Sequence, residues 1–163
     1  MSQYIHLAVR VSDEMYGGLP NTVLRHNHIA FQHGAVWFGK PGFAIREKTA
    51  NQINEQVQQK YTTYAYFIDP DRKNPIAYSA ELFGVSLRSP KEKEQIPLFY
   101  KELRILSRMK SWLKVGYLEA IKLEEFGGLD EANNSYTVFE MKLSKHNVIN
   151  PPGYFELVDT NVE

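Results

Sequence analysis

A short apolar run enclosed by turn residues most constrains what this chain can form, and it lies in Gly34-Ala-Val-Trp-Phe-Gly-Lys-Pro-Gly42. Four apolar residues between such breakers are typical of a strand that opens into a tight turn. Because side chains alternate across a strand, Val36 and Phe38 share one face and Trp37 lies on the other. Either face could be the buried one, so Trp37 is either a core residue or a ring open to a ligand.

Other segments show the same period-two alternation or are rich in β-branched and aromatic residues. Together with the strand at 35–38, they predict strands at 4–11, 61–68, 76–87, 115–124, 135–143 and 154–158. The turn Asp69-Pro-Asp-Arg-Lys-Asn-Pro75 predicts that the strands at 61–68 and 76–87 form a hairpin.

Two helices are predicted, at 49–60 and 95–110. Thr49 and Gln52 have capping-box spacing, and Pro97 suits the first turn of the second helix. Strands around two helices indicate the α+β class. We expect one domain over 1–163, with a polar tail at 159–163 and a mostly antiparallel sheet curled into a small barrel flanked by the two helices.

Composition excludes several function classes. The chain has no cysteine, which removes disulfides, thiolate metal sites and cysteine nucleophiles. The Gly-x-Ser-x-Gly elbow of serine hydrolases is absent, and Pro41 follows Lys40 where a phosphate-binding loop needs a hydroxyl residue. No apolar run approaches ~20 residues, so we expect a soluble, cytoplasmic protein without membrane association. No enzyme activity, metal or cofactor is predicted.

The histidines and one glutamate are weaker candidates for chemistry. His26 and His28 would share a face if they lay on a strand, where they could ligate one metal ion. Histidines beside a loop also commonly meet only solvent. Glu81, near the centre of a predicted strand, is either a general base in a pocket or a carboxylate on the wet face of the sheet.

Charge is unevenly distributed although the net charge is zero. Residues 88–114 carry eight basic and three acidic side chains, and residues 115–163 carry three and nine. Basic residues near the aromatic ring of Trp112 are typical of a groove that binds single strands. The candidate phosphate-binding residues are Lys101, Arg104, Arg108, Lys110 and Lys114. A solvated helix face, or neutralisation by the acidic segment, would explain the same pattern.

The order of elements resembles the PUA-like superfamily, and within it the EVE and YTH proteins that recognise modified bases. The similarity rests on the opening strand, on Gly34-Ala-Val-Trp-Phe38, on Ile76-Ala-Tyr-Ser-Ala-Glu-Leu-Phe-Gly84, on a connecting helix and on Trp112-Leu-Lys-Val-Gly-Tyr-Leu-Glu-Ala-Ile121. The resemblance implies a small barrel with an aromatic pocket for a flipped-out base. The pocket residues that it implies are Trp37, Lys40 and Trp112, with Asn27 as an amide that contacts the base edge.

These patterns favour a non-enzymatic module that binds a nucleotide or a modified base in single-stranded or locally opened nucleic acid. The alternative is an accessory or regulatory protein that meets a protein partner through exposed aromatic residues. The chain has 21 aromatic side chains, and tyrosine and tryptophan are enriched at such interfaces.

Overall fold

A computed structural model describes residues 4–18, 20–42, 44–69, 76–121, 129–131 and 154–159. The strands are β1 (Ile5–Arg10), β2 (Val36–Pro41), β3 (Tyr64–Asp69), β4 (Ile76–Ser86), β5 (Met109–Val115), β6 (Glu119–Ile121), β7 (Leu129–Glu131) and β8 (Tyr154–Asp159). The helices are α1 (Thr22–His33), α2 (Glu47–Gln58) and α3 (Leu98–Glu102), and 3-10 turns occupy Asp13–Tyr16, Lys93–Gln95 and Leu106–Arg108. None of the helices in these ranges combines the length and the apolar character that a bilayer crossing requires.

The strands form one mixed sheet in the order β2-β5-β4-β3-β1-β8-β7, with β6 paired to β4. Strands β1 and β3 are parallel, and the other pairs are antiparallel. The α+β class and the mostly antiparallel sheet are therefore confirmed. The predicted barrel is wrong, because the described strands run from β2 to β7 without closing on each other.

The predicted hairpin is confirmed, since β3 and β4 pair antiparallel from Tyr64 opposite Glu81 to Asp69 opposite Ile76. Strand β8 also matches its predicted position. The predicted strand at 115–124 is not one continuous strand. Its first residue, Val115, is the last residue of β5, and β6 begins four residues later, at Glu119. The predicted strand at 135–143 and most of the predicted tail lie outside the described residues.

Helix α1 was not predicted, because its apolar pattern is the reverse of the usual one. The buried face carries the polar residues His26 and Asn27 between Val23 and Ala30. Its exposed face carries Leu24 and Phe31, and Phe31 is 81% exposed. A helix normally buries its apolar residues, so the sequence of this segment shows no helical stripe. The prediction of two helices is therefore wrong, and three are present among the described residues.

Helix α2 confirms the first predicted helix, although it begins two residues earlier, at Glu47. Thr49 therefore lies inside the helix and is not its N-cap. Two amide side chains attach the helix to strands by paired hydrogen bonds. Asn54 Oδ1 accepts the N–H of Val85 at 2.8 Å while its Nδ2 donates to the same residue's carbonyl at 2.9 Å. Gln56 makes the equivalent pair with Ile5, at 2.8 and 2.9 Å.

The predicted helix at 95–110 is wrong over most of its length. Helix α3 ends at Glu102, and Arg104 adopts a left-handed conformation with φ 58°, which an α-helix cannot contain. The chain then forms a 3-10 turn and enters β5 at Met109. The three- and four-residue spacing of apolar side chains here arises from short turns packed on the sheet, with Ile105 fully buried.

A carboxylate from the preceding turn caps α1. Asp13 accepts the backbone N–H of Thr22 at 2.9 Å and that of Asn21 at 3.2 Å, so it satisfies donors that the helix leaves unpaired. We expect Asp13→Ala to lower the free energy of unfolding by about 1 kcal/mol in urea titrations, the usual cost of losing a cap. Glu14→Ala is the control, because Glu14 is the exposed neighbour in the same turn. Equal stability of the two variants would contradict the capping role.

Candidate functional site

Trp37 is a covered side chain, so the predicted open platform is absent. The residue is 7% exposed in β2. The ammonium of Lys114 lies 5.8 Å from the centroid of its ring, and the same ammonium is 3.5 Å from a carboxylate oxygen of Glu92. The interpretation of Trp37 as an exposed stacking surface is therefore wrong. A base could stack on this ring only after the Lys114–Glu92 pair had moved away.

The carboxyl group of Glu92 is held in its ionised form. A hydrogen bond from its own backbone N–H lowers the pKa of Glu92 below the usual value, and the Lys114 ammonium and the Trp37 indole lower it further. Lys114 is therefore occupied by an anion of the protein itself. This contact removes Lys114 from the set of cations free to bind phosphate.

Asn27 and Trp112 are also interior residues. Asn27 Nδ2 donates to the Leu118 carbonyl at 2.9 Å, and the Leu118 N–H donates to Asn27 Oδ1 at 2.7 Å. Both ends of the amide are thus used by the backbone, and the prediction that Asn27 contacts a base edge is wrong for this conformation. Trp112 is 3% exposed, and its ring centroid lies 5.9 Å from that of Tyr100. Neither side chain is open to solvent in this structure.

Lys40 is buried at the end of β2, where its Nζ lies 3.5 Å from the carbonyl oxygen of Pro41. Burial lowers the pKa of Lys40 to about 8, because the charged ammonium loses hydration. Its side chain is therefore not presented to solvent as a phosphate-binding group. The assignment of Lys40 to a ligand pocket stays a prediction.

His26 belongs to a sealed hydrogen-bond network that we call the tyrosine bridge: His26, Tyr100, Gly39 and Tyr16. His26 Nδ1 donates to the carbonyl of Thr22 at 2.7 Å, so Nε2 accepts the hydroxyl proton of Tyr100. The Tyr100 oxygen accepts the N–H of Gly39 at 3.0 Å, and Tyr16 donates to the carbonyl of Gly39 at 2.7 Å.

Burial fixes the protonation of this network. It lowers the pKa of His26 to about 3, against a smaller opposing effect of the Thr22 carbonyl. It also raises the pKa of both tyrosine hydroxyls well above the ordinary value. The bridge is therefore neutral at physiological pH. Because both ring nitrogens of His26 are used, it is not a metal ligand in this structure.

The metal-site interpretation fails on geometry as well. His26 and His28 lie on helix α1, where residues two apart do not face each other. His26 is buried and His28 is exposed. The described ranges contain no group of three histidine, aspartate or glutamate side chains that could hold a metal ion. Glu81 is exposed in β4, which agrees with the wet-face interpretation.

The remaining predicted cations are on the surface. Lys101, Arg104, Arg108 and Lys110 are all exposed, and we call these four residues the basic strip. They lie on α3, on the chain that follows it, and at the start of β5. None of them is paired with a carboxylate within the part of the chain that the structure describes. Among the described residues, therefore, no carboxylate neutralises the strip.

A cleft of about 390 Å³ opens beside the basic strip, between the turn Lys93–Gln95 and α3. It is lined by Ser89, Lys93, Ile96, Pro97, Leu98, Lys101 and Leu106. Lys93 Nζ donates to Ser89 Oγ at 3.4 Å. Among the described residues, neither Lys93 nor Lys101 forms an ion pair. Of the residues that line the cleft, only Lys101 was predicted from the sequence as a candidate for binding. The one sequence feature that could have indicated the cleft is the apolar residue Leu98, which follows Pro97 in a charged segment.

Comparison with known proteins adds no assignment. No family model, curated protein or solved structure matches this chain. The resemblance to the PUA-like superfamily therefore stays a prediction. Function has to be argued from the basic strip and the cleft.

Proposed function

We propose that this protein is a non-enzymatic module that binds single-stranded or locally opened nucleic acid through the basic strip. The observation that carries the proposal is the exposure of Lys101, Arg104, Arg108 and Lys110 without carboxylate partners among the described residues. Exposed guanidinium and ammonium groups that are close in sequence can contact successive phosphates of a strand. The proposal keeps the partner expected from the sequence and abandons Trp37 as the stacking residue.

The charge distribution supports a local binding site. Residues 88–114 carry a net charge of +5 in a chain whose total is zero. Association through phosphates depends on the nearby field more than on the total charge, since salt screens charges beyond ~10 Å. A neutral protein with one basic surface is therefore suited to a short single strand and poorly suited to a long duplex.

The experiment measures the salt dependence of binding to a fluorescent oligothymidylate. We expect the logarithm of the association constant to fall linearly with the logarithm of salt concentration. Replacing Arg104 and Arg108 together with glutamine should make that slope shallower by ~1.4, because each phosphate contact on a single strand contributes ~0.7.

The matched control replaces Lys48 and Lys60 with glutamine. Both are exposed cations on or next to α2, and Lys60, like Arg104, has a positive φ, of 68°. This control should bind as the wild type does. An equal loss of affinity in the two double variants would mean that binding depends on the total charge and not on the basic strip. Absence of binding by the wild type at low salt would contradict the proposal.

The alternative, a protein-interaction module, is favoured by one observation. Leu24 and Phe31 are exposed two turns apart on α1, and apolar side chains on one helix face are typical of a protein-binding surface. Affinity for a protein partner through this face would change little with salt. The same salt titration therefore separates the two functions.

A further inference from the structure

The cleft beside the basic strip has two kinds of wall. One consists of the cations Lys93 and Lys101, and the other consists of the aliphatic residues Ile96, Pro97, Leu98 and Leu106. Leu98 is 66% exposed and Leu106 is 38% exposed. A ligand that covers both walls needs an anionic group and an apolar body, because a bare phosphate would leave the leucines in water.

Burial of the apolar wall would contribute to affinity. Removing apolar surface from water gains roughly 25 cal/mol per Å². The faces of a nucleobase are flat and largely apolar, and the hydroxyl of Ser89 at the rim can exchange hydrogen bonds with polar base edges. A nucleotide therefore has both parts that the cleft requires.

The size of the cleft limits what enters. At about 390 Å³ it lies near the lower end of the ~300–1,000 Å³ range of ligand pockets. That volume suits one small group, whereas a base pair joined to two backbones would not fit. A base that enters must leave its stack and its partner, which costs a few kcal/mol in a duplex and less in a single strand.

We infer that the cleft holds one unstacked nucleoside of a bound single strand, an inference that rests on the proposed function. The base lies against Leu98 and Leu106, and the flanking phosphates lie at Lys93 and Lys101. The basic strip then holds the backbone that continues beyond the cleft. The module therefore prefers a single strand that carries at least one base over a bare polyanion of the same length.

The test compares two strands of equal length, an oligothymidylate and a fully abasic strand, so that the phosphates are the same and only the bases differ. We expect the wild type to bind the base-bearing strand about tenfold more tightly, because a tenfold gain corresponds to removing roughly 55 Å² of apolar surface from water. The variant Leu98→Ser should lose most of that difference while its affinity for the abasic strand stays the same.

The control is Leu24→Ser, since Leu24 is 64% exposed and does not line the cleft. Surface substitutions of this kind leave stability nearly unchanged, so both variants should fold. Leu24→Ser should keep the tenfold preference. A Leu106→Ser variant provides a second, independent change at the cleft and should reduce the preference as Leu98→Ser does.

The outcomes separate this inference from the proposed function. Equal wild-type affinity for the two strands, with a steep salt dependence, would overturn the nucleoside subsite and leave phosphate binding intact. A preference that survives both leucine substitutions would also overturn it, because the base would be held elsewhere. Failure of both strands to bind would reject the proposed function itself.

Discussion

Replacing Tyr100 with phenylalanine is expected to lower the free energy of unfolding by about 2–6 kcal/mol. The hydroxyl of Tyr100 donates to His26 and accepts from Gly39, and both partners are buried. Its removal leaves an acceptor and a donor without partners inside the protein, at about 1–3 kcal/mol each. Urea titration of the two proteins, followed by circular dichroism, measures the difference.

Tyr117→Phe is the matched control, because Tyr117 is 52% exposed and its hydroxyl can bond to water in both states. It should change stability by less than about 0.5 kcal/mol. If Tyr100→Phe unfolded at the same urea concentration as this control, the hydroxyl of Tyr100 would contribute nothing to the free energy of unfolding. Tyr100 lies in α3 between Leu98 and Lys101. Removing its hydroxyl should therefore also weaken the packing of α3, which forms one wall of the cleft.

Acid is expected to destabilise the protein through His26 before most carboxylates are protonated. The pKa of His26 is about 3 in the folded protein and near 6.5 in the unfolded chain. As the pH falls, the unfolded chain therefore binds the proton before the folded protein does. The contribution of His26 to the free energy of unfolding is fully present above pH 6.5 and is lost as the pH falls toward 3. Between pH 7.5 and pH 5 this one group should cost about 2 kcal/mol of unfolding free energy.

The variant His26→Gln isolates this effect. Glutamine cannot be protonated, so the loss between the two pH values should shrink by about 2 kcal/mol even if the variant is less stable overall. His6 remains in both proteins. Its hydrogen bond from the Tyr64 N–H to Nδ1 is present in both, so the comparison isolates His26. An unchanged pH dependence in the variant would show that His26 is accessible to protons in the folded state.

The strands and the helix that were predicted correctly are those whose short-range sequence pattern indicates their structure. Strand β1 alternates, β3 and β4 flank a turn rich in proline and aspartate, and α2 has an apolar stripe that includes Ile53. What the sequence did not reveal is which strands pair. The parallel contact of β1 with β3 joins residues about 58 positions apart in sequence, such as Leu7 and Ala65, and no local pattern encodes it.

The errors at His26 and Asn27 share one physical cause, which is that polar side chains are part of the interior here. His26 and Asn27 are buried because every polar atom of their side chains has a backbone or hydroxyl partner, a condition that no residue pattern displays. The same holds for Gln56. The surface was predicted better, since Lys101, Arg104 and Arg108 are exposed, although they follow turns and do not form one helical row.

The cleft could not be predicted, because its walls depend on where short turns fold back. Leu98 and Leu106 are apolar residues that a sequence places in the core, and only the structure shows them exposed around a concavity. The left-handed residue Arg104 between them redirects the chain.

The tyrosine bridge also bears on self-association. Among the described strands, β2 lies at one end of the sheet, and an unpaired strand edge is a site where another chain can add by backbone pairing. At Gly39 both backbone groups that do not pair with β5 already bond to tyrosine hydroxyls, and two positions later Pro41 has no N–H to offer. At these two positions of the described edge, the phenol groups and the proline ring therefore oppose fibril growth and strand-swapped dimerisation.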